Sequence, residues 1–143
     1  MKFEKLFDSK DHKLFKITGE EVTVTPEMAY SVKWSDIEGR EEEYNEEFLS
    51  KLRQSLKALE EQNKYVFIEG IYDKDATPGQ YNNTMKHTSR RIKDCANVIG
   101  FALPVQVSQD KDVADDFIQK LSEKHPQYVY FAKTPCNEQV ILY

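Results

Sequence analysis

The 143-residue chain has 20 basic and 25 acidic residues, a formal net charge of −5, and 39% hydrophobic residues. This length suffices for one domain with a single core, and the 8 tyrosines and 8 phenylalanines exclude a disordered chain. Nucleic-acid binders carry a basic excess, so we expect no nucleic-acid partner. The basic residues between 86 and 93 are interpreted as a solvated helix face.

Cysteine, histidine and apolar patterns set further limits. Cys95 and Cys136 form no CxxC pair, and Cys95 is expected to be a small buried apolar group. The three histidines lack metal-ligand spacing, so we expect neither a metal nor a cofactor. Residues 1–8 contain no signal-peptide core, and no run is long enough to span a membrane. We therefore expect a cytoplasmic protein with no membrane partner.

The first elements are strands. Residues 14–25 alternate apolar and polar side chains around Thr18-Gly19, which predicts a β-hairpin. Pro26 ends this pattern, and we treat residues 1–27 as an N-terminal hairpin extension. Residues 28–34 predict a strand, followed by turn-forming Ser35-Asp36 and Gly39.

A helix is predicted from Glu42 to Gln62, because apolar residues recur there at helical spacing. Its acidic first turns suit the helix dipole and are not interpreted as a metal site. The apolar run 65–72 that follows predicts a strand buried on both faces.

The second half repeats this alternation. Thr77-Pro78 predicts a helix start, with Thr77 as N-cap, and the helix is expected to reach about Cys95. Residues 98–105 predict the next strand. A helix then runs from about Asp110 to Pro126, and strands follow at 128–131 and 139–143.

Regular alternation of strands and helices predicts a single α/β domain. Residues 28–143 form its βα units, with right-handed crossovers and a mainly parallel sheet. The sheet is expected to be either partly TIM-barrel-like or a small doubly wound layer. An open sheet has exposed edges that invite pairing, so we expect a homodimer or an edge covered by the N-terminal hairpin.

Several residues near predicted strand ends are candidate ligand-binding groups. A buried carboxylate is costly unless it is paired or neutral, so Glu69 is either a ligand-binding or acidic group, or a rim residue paired with Lys or Arg. Trp34, with Asp36 beside it, either stacks on a sugar ring or fills the core. Asp73 is either a ligand group or a loop former. Gln106 either bonds a ligand hydroxyl or makes local backbone contacts.

Catalytic candidates are fewer. Glu69 with Asp73 or His87 would suit a small hydrolase, although His87 is more simply a solvated helix residue. His125 precedes Pro126 at a helix end, where a positive charge is favourable.

Four segments carry a resemblance to a known family, namely residues 44–63, 64–69, 91–101 and 123–131. They resemble parts of the cellulase-like glycoside hydrolases, a (β/α)8-barrel family. The first two are similar to the helix before that family's third strand and to the third strand itself. The last two are similar to the elements around its fourth and fifth strands.

The functional positions of that family do not carry over. Its fourth strand ends in an Asn-Glu pair whose Glu is the acid/base, and the matching residues here are Val105 and Gln106. A His that ends the third strand corresponds to Ile71, and an Arg on the second strand to Ala29. Retaining cleavage needs two carboxyl groups roughly 5 Å apart, and no such pair is evident. The resemblance therefore implies a truncated relative without that activity.

Three functional hypotheses remain. The first is a non-catalytic glycoside-hydrolase-like domain that binds a carbohydrate-like ligand or a protein at the carboxyl ends of its strands. The second is the small hydrolase. The third is a structural or interaction module without a small-molecule site. Fold alone does not choose among them.

Overall fold

The computed structural model describes residues 4–143. The strands are β1 (Phe7–Lys10), β2 (Lys13–Lys16), β3 (Glu21–Val22), β4 (Ala29–Lys33), β5 (Val66–Ile71), β6 (Val98–Ala102), β7 (Val129–Ala132) and β8 (Val140–Leu142). The helices are α1 (Trp34–Ile37), α2 (Glu46–Glu61), α3 (Pro78–Arg91), α4 (Val105–Ser108) and α5 (Lys111–Ser122), with a 3-10 turn at Pro26–Met28.

Strands β4 to β8 form a five-stranded sheet in consecutive order, and every neighbouring pair is parallel. The predicted α/β class is therefore confirmed. The sheet does not close into a barrel, because β4 and β8 are edge strands. A doubly wound sheet reverses its strand order at a switch point, and this sheet has no reversal.

The long helices α2, α3 and α5 cover one face of the sheet, here called the helix face. The larger of two apolar clusters lies between them and joins helix residues such as Leu56, Tyr81 and Phe117 to strand residues such as Ile68 and Phe101. Each helix contributes one apolar stripe, as their helical spacing predicts.

The other face is covered by β1, β2 and β3, which form an antiparallel meander. On this meander face, Phe7 and Leu14 pack with strand residues in a second apolar cluster. The rings of Phe67 and Phe131 stack there with centroids 3.9 Å apart. The meander thus supplies the second layer that a sheet needs to bury both faces.

The meander also covers the β8 edge. The turn between β1 and β2 places His12 beside β8, where its backbone oxygen accepts from Leu142 N at 3.0 Å. Its Nδ1 lies 2.8 Å from the Val140 oxygen. Asp11 and His12 both have positive φ, as a tight hairpin turn with matching twist requires. The N-terminal extension therefore covers this edge, but it does so through the β1–β2 turn and not through the hairpin predicted at residues 14–25. Strand β1 is one that the alternation did not reveal.

Several predicted boundaries are wrong. Helix α3 ends at Arg91 instead of about Cys95, and helix α5 ends at Ser122 instead of at Pro126. Helix α2 begins at Glu46 instead of Glu42, because Asn45 is its N-cap and accepts from Phe48 N at 2.9 Å. Strand β6 ends at Ala102 instead of Val105, since Pro104 precedes the short helix α4. Gln106 therefore lies in a helical turn, away from the end of the strand.

Other local predictions agree with the structure. Thr77 caps α3, and its side chain accepts from Gln80 N at 3.2 Å. Cys95 is a free, buried thiol, and burial raises its pKa to about 11. No helix among residues 4–143 is both long and apolar enough to cross a membrane.

Candidate functional site

The carboxyl ends of β4 to β8 lie along one edge of the sheet, here called the rim. Glu69 is the third-last residue of β5 and is aligned with Ser31 on β4 and Ala102 on β6. Its side chain is half-buried. One carboxylate oxygen accepts from Tyr143 Oη at 2.6 Å and the other from Ser31 Oγ at 3.3 Å.

Tyr143 is held in place by its ring. The ring packs edge-on against Phe67 at 5.1 Å and against Phe131 at 6.1 Å between centroids. Lys133 Nζ lies 3.5 Å from the ring centroid, which is a cation–π contact. Burial, and then the hydrogen bond to Glu69, raises the pKa of Tyr143. The phenol is therefore a neutral donor to the carboxylate.

Strand alternation puts three side chains beside Tyr143 on the meander face at the rim. Phe67 and Phe131 face the meander, so Glu69, Ile71 and Lys133 do the same. Ile71 has 41% of its surface exposed. We call Glu69, Ile71, Lys133 and Tyr143 the rim patch. It joins an open carboxylate, an exposed aliphatic group and an ammonium.

Asp73 is engaged locally. Its carboxylate accepts from Ser35 N at 2.9 Å and from Ser35 Oγ at 2.5 Å, which ties the loop after β5 to the first turn of α1. Burial alone would raise the pKa of Asp73, but the hydrogen bonds from Ser35 outweigh it and lower the pKa. Asp36 is exposed, and its side chain forms no hydrogen bond with another residue among 4–143.

Trp34 is wholly buried, with 0% of its surface exposed. Its Nε1 donates to Glu38 Oε1 at 2.8 Å, and its ring packs against Tyr72 and Tyr81. No ring face is therefore open to a sugar, and the core alternative describes its position. Gln106 is half-exposed, and no hydrogen bond within the described chain joins its side chain to another candidate.

His87 lies on α3, against the start of α2. Its ring stacks on Tyr44 with centroids 4.0 Å apart, and its Nε2 is 3.0 Å from Glu46 Oε2. Arg91 binds the other oxygen of Glu46 at 2.9 Å. These contacts join two helices on the outer layer. Neither His87 nor Asp73 is hydrogen-bonded to Glu69, so the catalytic set considered from the sequence is not assembled by direct contacts.

Glu38 is a buried carboxylate that the sequence did not single out. It accepts from Trp34 Nε1, from Gln80 Nε2 at 2.9 Å and from Glu42 N at 2.8 Å, and Lys74 Nζ lies at 3.7 Å. Burial alone would raise the pKa of Glu38, but these hydrogen bonds together lower it. Its donors come from the chain itself, so Glu38 fixes the loop between β4 and α2.

No group of three or more His, Cys, Asp or Glu side chains within residues 4–143 is arranged to hold a metal ion. Comparison with models of protein families and with curated protein sequences found no match. The case for function therefore depends on the geometry of the chain.

Proposed function

We propose that the protein is a non-catalytic α/β binding domain whose rim patch contacts a protein partner. The observation that carries this proposal is the hydrogen bond from Tyr143 to Glu69, formed beside the exposed Ile71. It orients a carboxylate at an accessible edge and leaves some of its lone pairs free. Such a carboxylate accepts hydrogen bonds from a partner's hydroxyl or amide groups.

The environment of Glu69 supports binding over acid–base chemistry. Hydrolysis by a carboxyl group needs a second carboxylate or a base placed across from it. The groups bonded to Glu69 are instead a phenol and a serine hydroxyl, both of which donate. Asp73 is occupied by Ser35, and His87 by Glu46.

The aromatic contacts support a protein partner over a carbohydrate. Sugar rings bind well to a bare aromatic face. Here Trp34 is buried, and Lys133 lies over the Tyr143 ring. In the rim patch, the exposed aliphatic side chain of Ile71 is flanked by charged groups. Such a patch suits a protein partner that offers an apolar side chain to Ile71 and a carboxylate to Lys133.

Descent from a cellulase-like glycoside hydrolase is part of the same proposal. Consecutive parallel strands with helices on one face are what a segment of such a barrel contains. The meander occupies part of the face that lines the interior of a closed barrel. A half-barrel that lacks its catalytic carboxylates retains a rim, and that rim is available for binding.

The experiment compares partners captured from lysate of the source cells by the wild type and by rim-patch variants. Ile71→Lys adds charge to the exposed apolar part of the patch and is expected to reduce recovery of the specific partner at least about tenfold. The matched control is Ile17→Lys, because Ile17 is also exposed, at 58%, but lies on the meander away from the rim. Circular dichroism checks that both variants fold.

A parallel arm titrates the wild type with a panel of oligosaccharides and follows amide NMR shifts. Loss of a partner with Ile71→Lys but not with Ile17→Lys supports the proposal. Equal recovery by both variants contradicts it. Saturable amide shifts at Glu69 and Tyr143 with an oligosaccharide would show that the ligand of the rim patch is a carbohydrate and not a protein.

A further inference from the structure

The second edge of the sheet, strand β4, is open. His12 covers β8, but β4 pairs only with β5. Within the described chain, residues 30–33 have no backbone hydrogen bond on their outer side. A groove of about 550 Å³ runs between this edge and α2. Its lining includes Tyr30, Ser31, Val32, Phe48, Lys51 and Leu52.

We infer that this edge is the docking site of a second copy of the same chain. The two β4 strands would pair antiparallel about a two-fold axis at Ser31 and join the two sheets into one of ten strands. Open edges pair readily with another strand, and two-fold dimers are the commonest symmetric assemblies.

The sequence of β4 is self-complementary in this register. Pairing Ser31 with its own copy sets Tyr30 of each chain opposite Val32 of the other, on the helix face. Aromatic and β-branched residues form favourable cross-strand pairs. Both residues already belong to the apolar layer on that face, with Val32 buried and Tyr30 half-buried. The dimer would therefore extend an existing core.

Charge complementarity favours the same register. Lys33 of each chain would lie opposite Ala29 of the other, close to Glu27 in the 3-10 turn that comes directly before β4. Both side chains are exposed, and neither forms an ion pair with another residue among 4–143. The two-fold axis would form the Lys33–Glu27 ion pair twice in each dimer. A strand from another protein would match these apolar and charged positions only by coincidence. A second copy of the chain matches them because its sequence is the same.

Helix α2 would add a second layer to the interface. The two-fold axis brings the α2 helices of both copies side by side on the helix face. Phe48, which is half-buried, and Leu52 line the groove and would gain apolar neighbours. Ser31 and Lys33 are aligned with Glu69 and Ile71 of the rim patch on the neighbouring strand, and Ser31 donates to Glu69. No rim-patch residue belongs to the β4 pairing itself, so the inference does not rest on the proposed function.

Sedimentation velocity across a concentration series tests the inference. The wild type is expected to pass from monomer to dimer as concentration rises. Lys33→Glu and Glu27→Lys each create a repulsive pair twice and are expected to raise the dissociation constant about tenfold or more. The double variant restores attraction and is expected to recover most of the loss. A wild type that is monomeric throughout, or single variants that dimerise as tightly as the wild type, overturns the inference.

Site-specific cross-linking tests the register. Ser31→Cys, made with Cys136→Ser, brings two thiols together at the two-fold axis and is expected to form a disulfide-linked dimer under mild oxidation. Ser50→Cys in the same background is the control, because Ser50 is exposed on α2 and does not line the groove. A dimer that cross-links equally through both positions contradicts the β4 pairing.

Discussion

The hydroxyl of Tyr81 occupies the space above Gly70 where any other residue would place its side chain. A Cβ atom built on Gly70 would lie 1.9 Å from Tyr81 Oη. Tyr81 is buried in α3, and its hydroxyl has no hydrogen-bond partner among residues 4–143. Glycine at position 70 thus lets α3 pack closely onto β5, directly behind the rim.

Gly70→Ala is expected to lower the free energy of unfolding by about 1–3 kcal/mol, because the new methyl overpacks this contact. Tyr81→Phe is expected to leave stability unchanged or to raise it, since the deleted hydroxyl is an unpaired polar group. Urea unfolding, followed by Trp34 fluorescence, measures both changes.

The double variant provides the control for this pair. With the Tyr81 hydroxyl removed, the nearest atoms to the methyl at position 70 are the Met85 Cε at 2.9 Å and the ring carbon Cζ at 3.0 Å. We therefore expect part of the lost stability to return. Strict additivity of the two single changes would show that the hydroxyl does not limit the packing.

Glu38→Ala is expected to lower the free energy of unfolding more than Gly70→Ala does. It leaves the buried Trp34 Nε1 with only its longer contact to Thr84, at 3.2 Å, and removes the acceptor for Gln80 and Glu42 N. Breaking such a buried network costs about 3–5 kcal/mol. Urea unfolding measures the loss, and Glu43→Ala, an exposed residue in the same loop, is the control, with an expected change within about 0.5 kcal/mol.

The lowered pKa of Glu38 also gives a dependence on pH. The folded carboxyl is more acidic than the unfolded one, so its contribution is complete above the unfolded pKa of about 4.3. That contribution is lost as pH falls towards the folded pKa. A smaller acid-induced loss of stability in Glu38→Gln than in the wild type is the expected result, and an equal loss would contradict it.

His125 predicts a second dependence on pH, near neutrality. Burial, followed by the positive charges of Lys93, Arg90 and Lys124, lowers its pKa. The unfolded chain therefore takes up the proton first, below about pH 6.5, so stability falls as pH decreases through that value and then levels below the folded pKa. The sequence-based prediction that a positive charge on His125 is favourable is therefore wrong.

His125→Phe keeps a ring beside Tyr128 and removes the titrating group. We expect urea midpoints of the wild type to fall between about pH 7 and about pH 5, and those of His125→Phe to fall less. Parallel profiles for the two proteins would exclude His125 as the source.

Local patterns in the sequence predicted most of the fold. Thr77 as N-cap and the apolar run before Glu69 follow from rules that act within a few residues, and both hold in the structure. The start of α2 was predicted wrongly because the sequence offers both Asn45 and the acidic residues before it as possible N-caps. The strand β1 was missed because its alternation is short and its partner is needed to define it.

The candidate site was only half predictable. Glu69 was placed correctly at a strand end by its position in an apolar run. Its partner Tyr143 is 74 residues away, and no local rule joins them. Trp34 could be assigned to the rim or the core, and only the packing of α3 against it decides for the core. No local sequence pattern marked Glu38 as a structural carboxylate, because its hydrogen-bond donors come together only in the folded chain.

Photo-cross-linking from position 71 tests the central claim most directly. A benzoylphenylalanine residue replaces Ile71 in one variant and Ile17 in another, and the cells are irradiated before lysis. We expect a discrete protein adduct from position 71, and not from position 17, that disappears when Glu69→Lys is added. No adduct from position 71, or the same adduct from both positions, would contradict the rim patch as the binding surface.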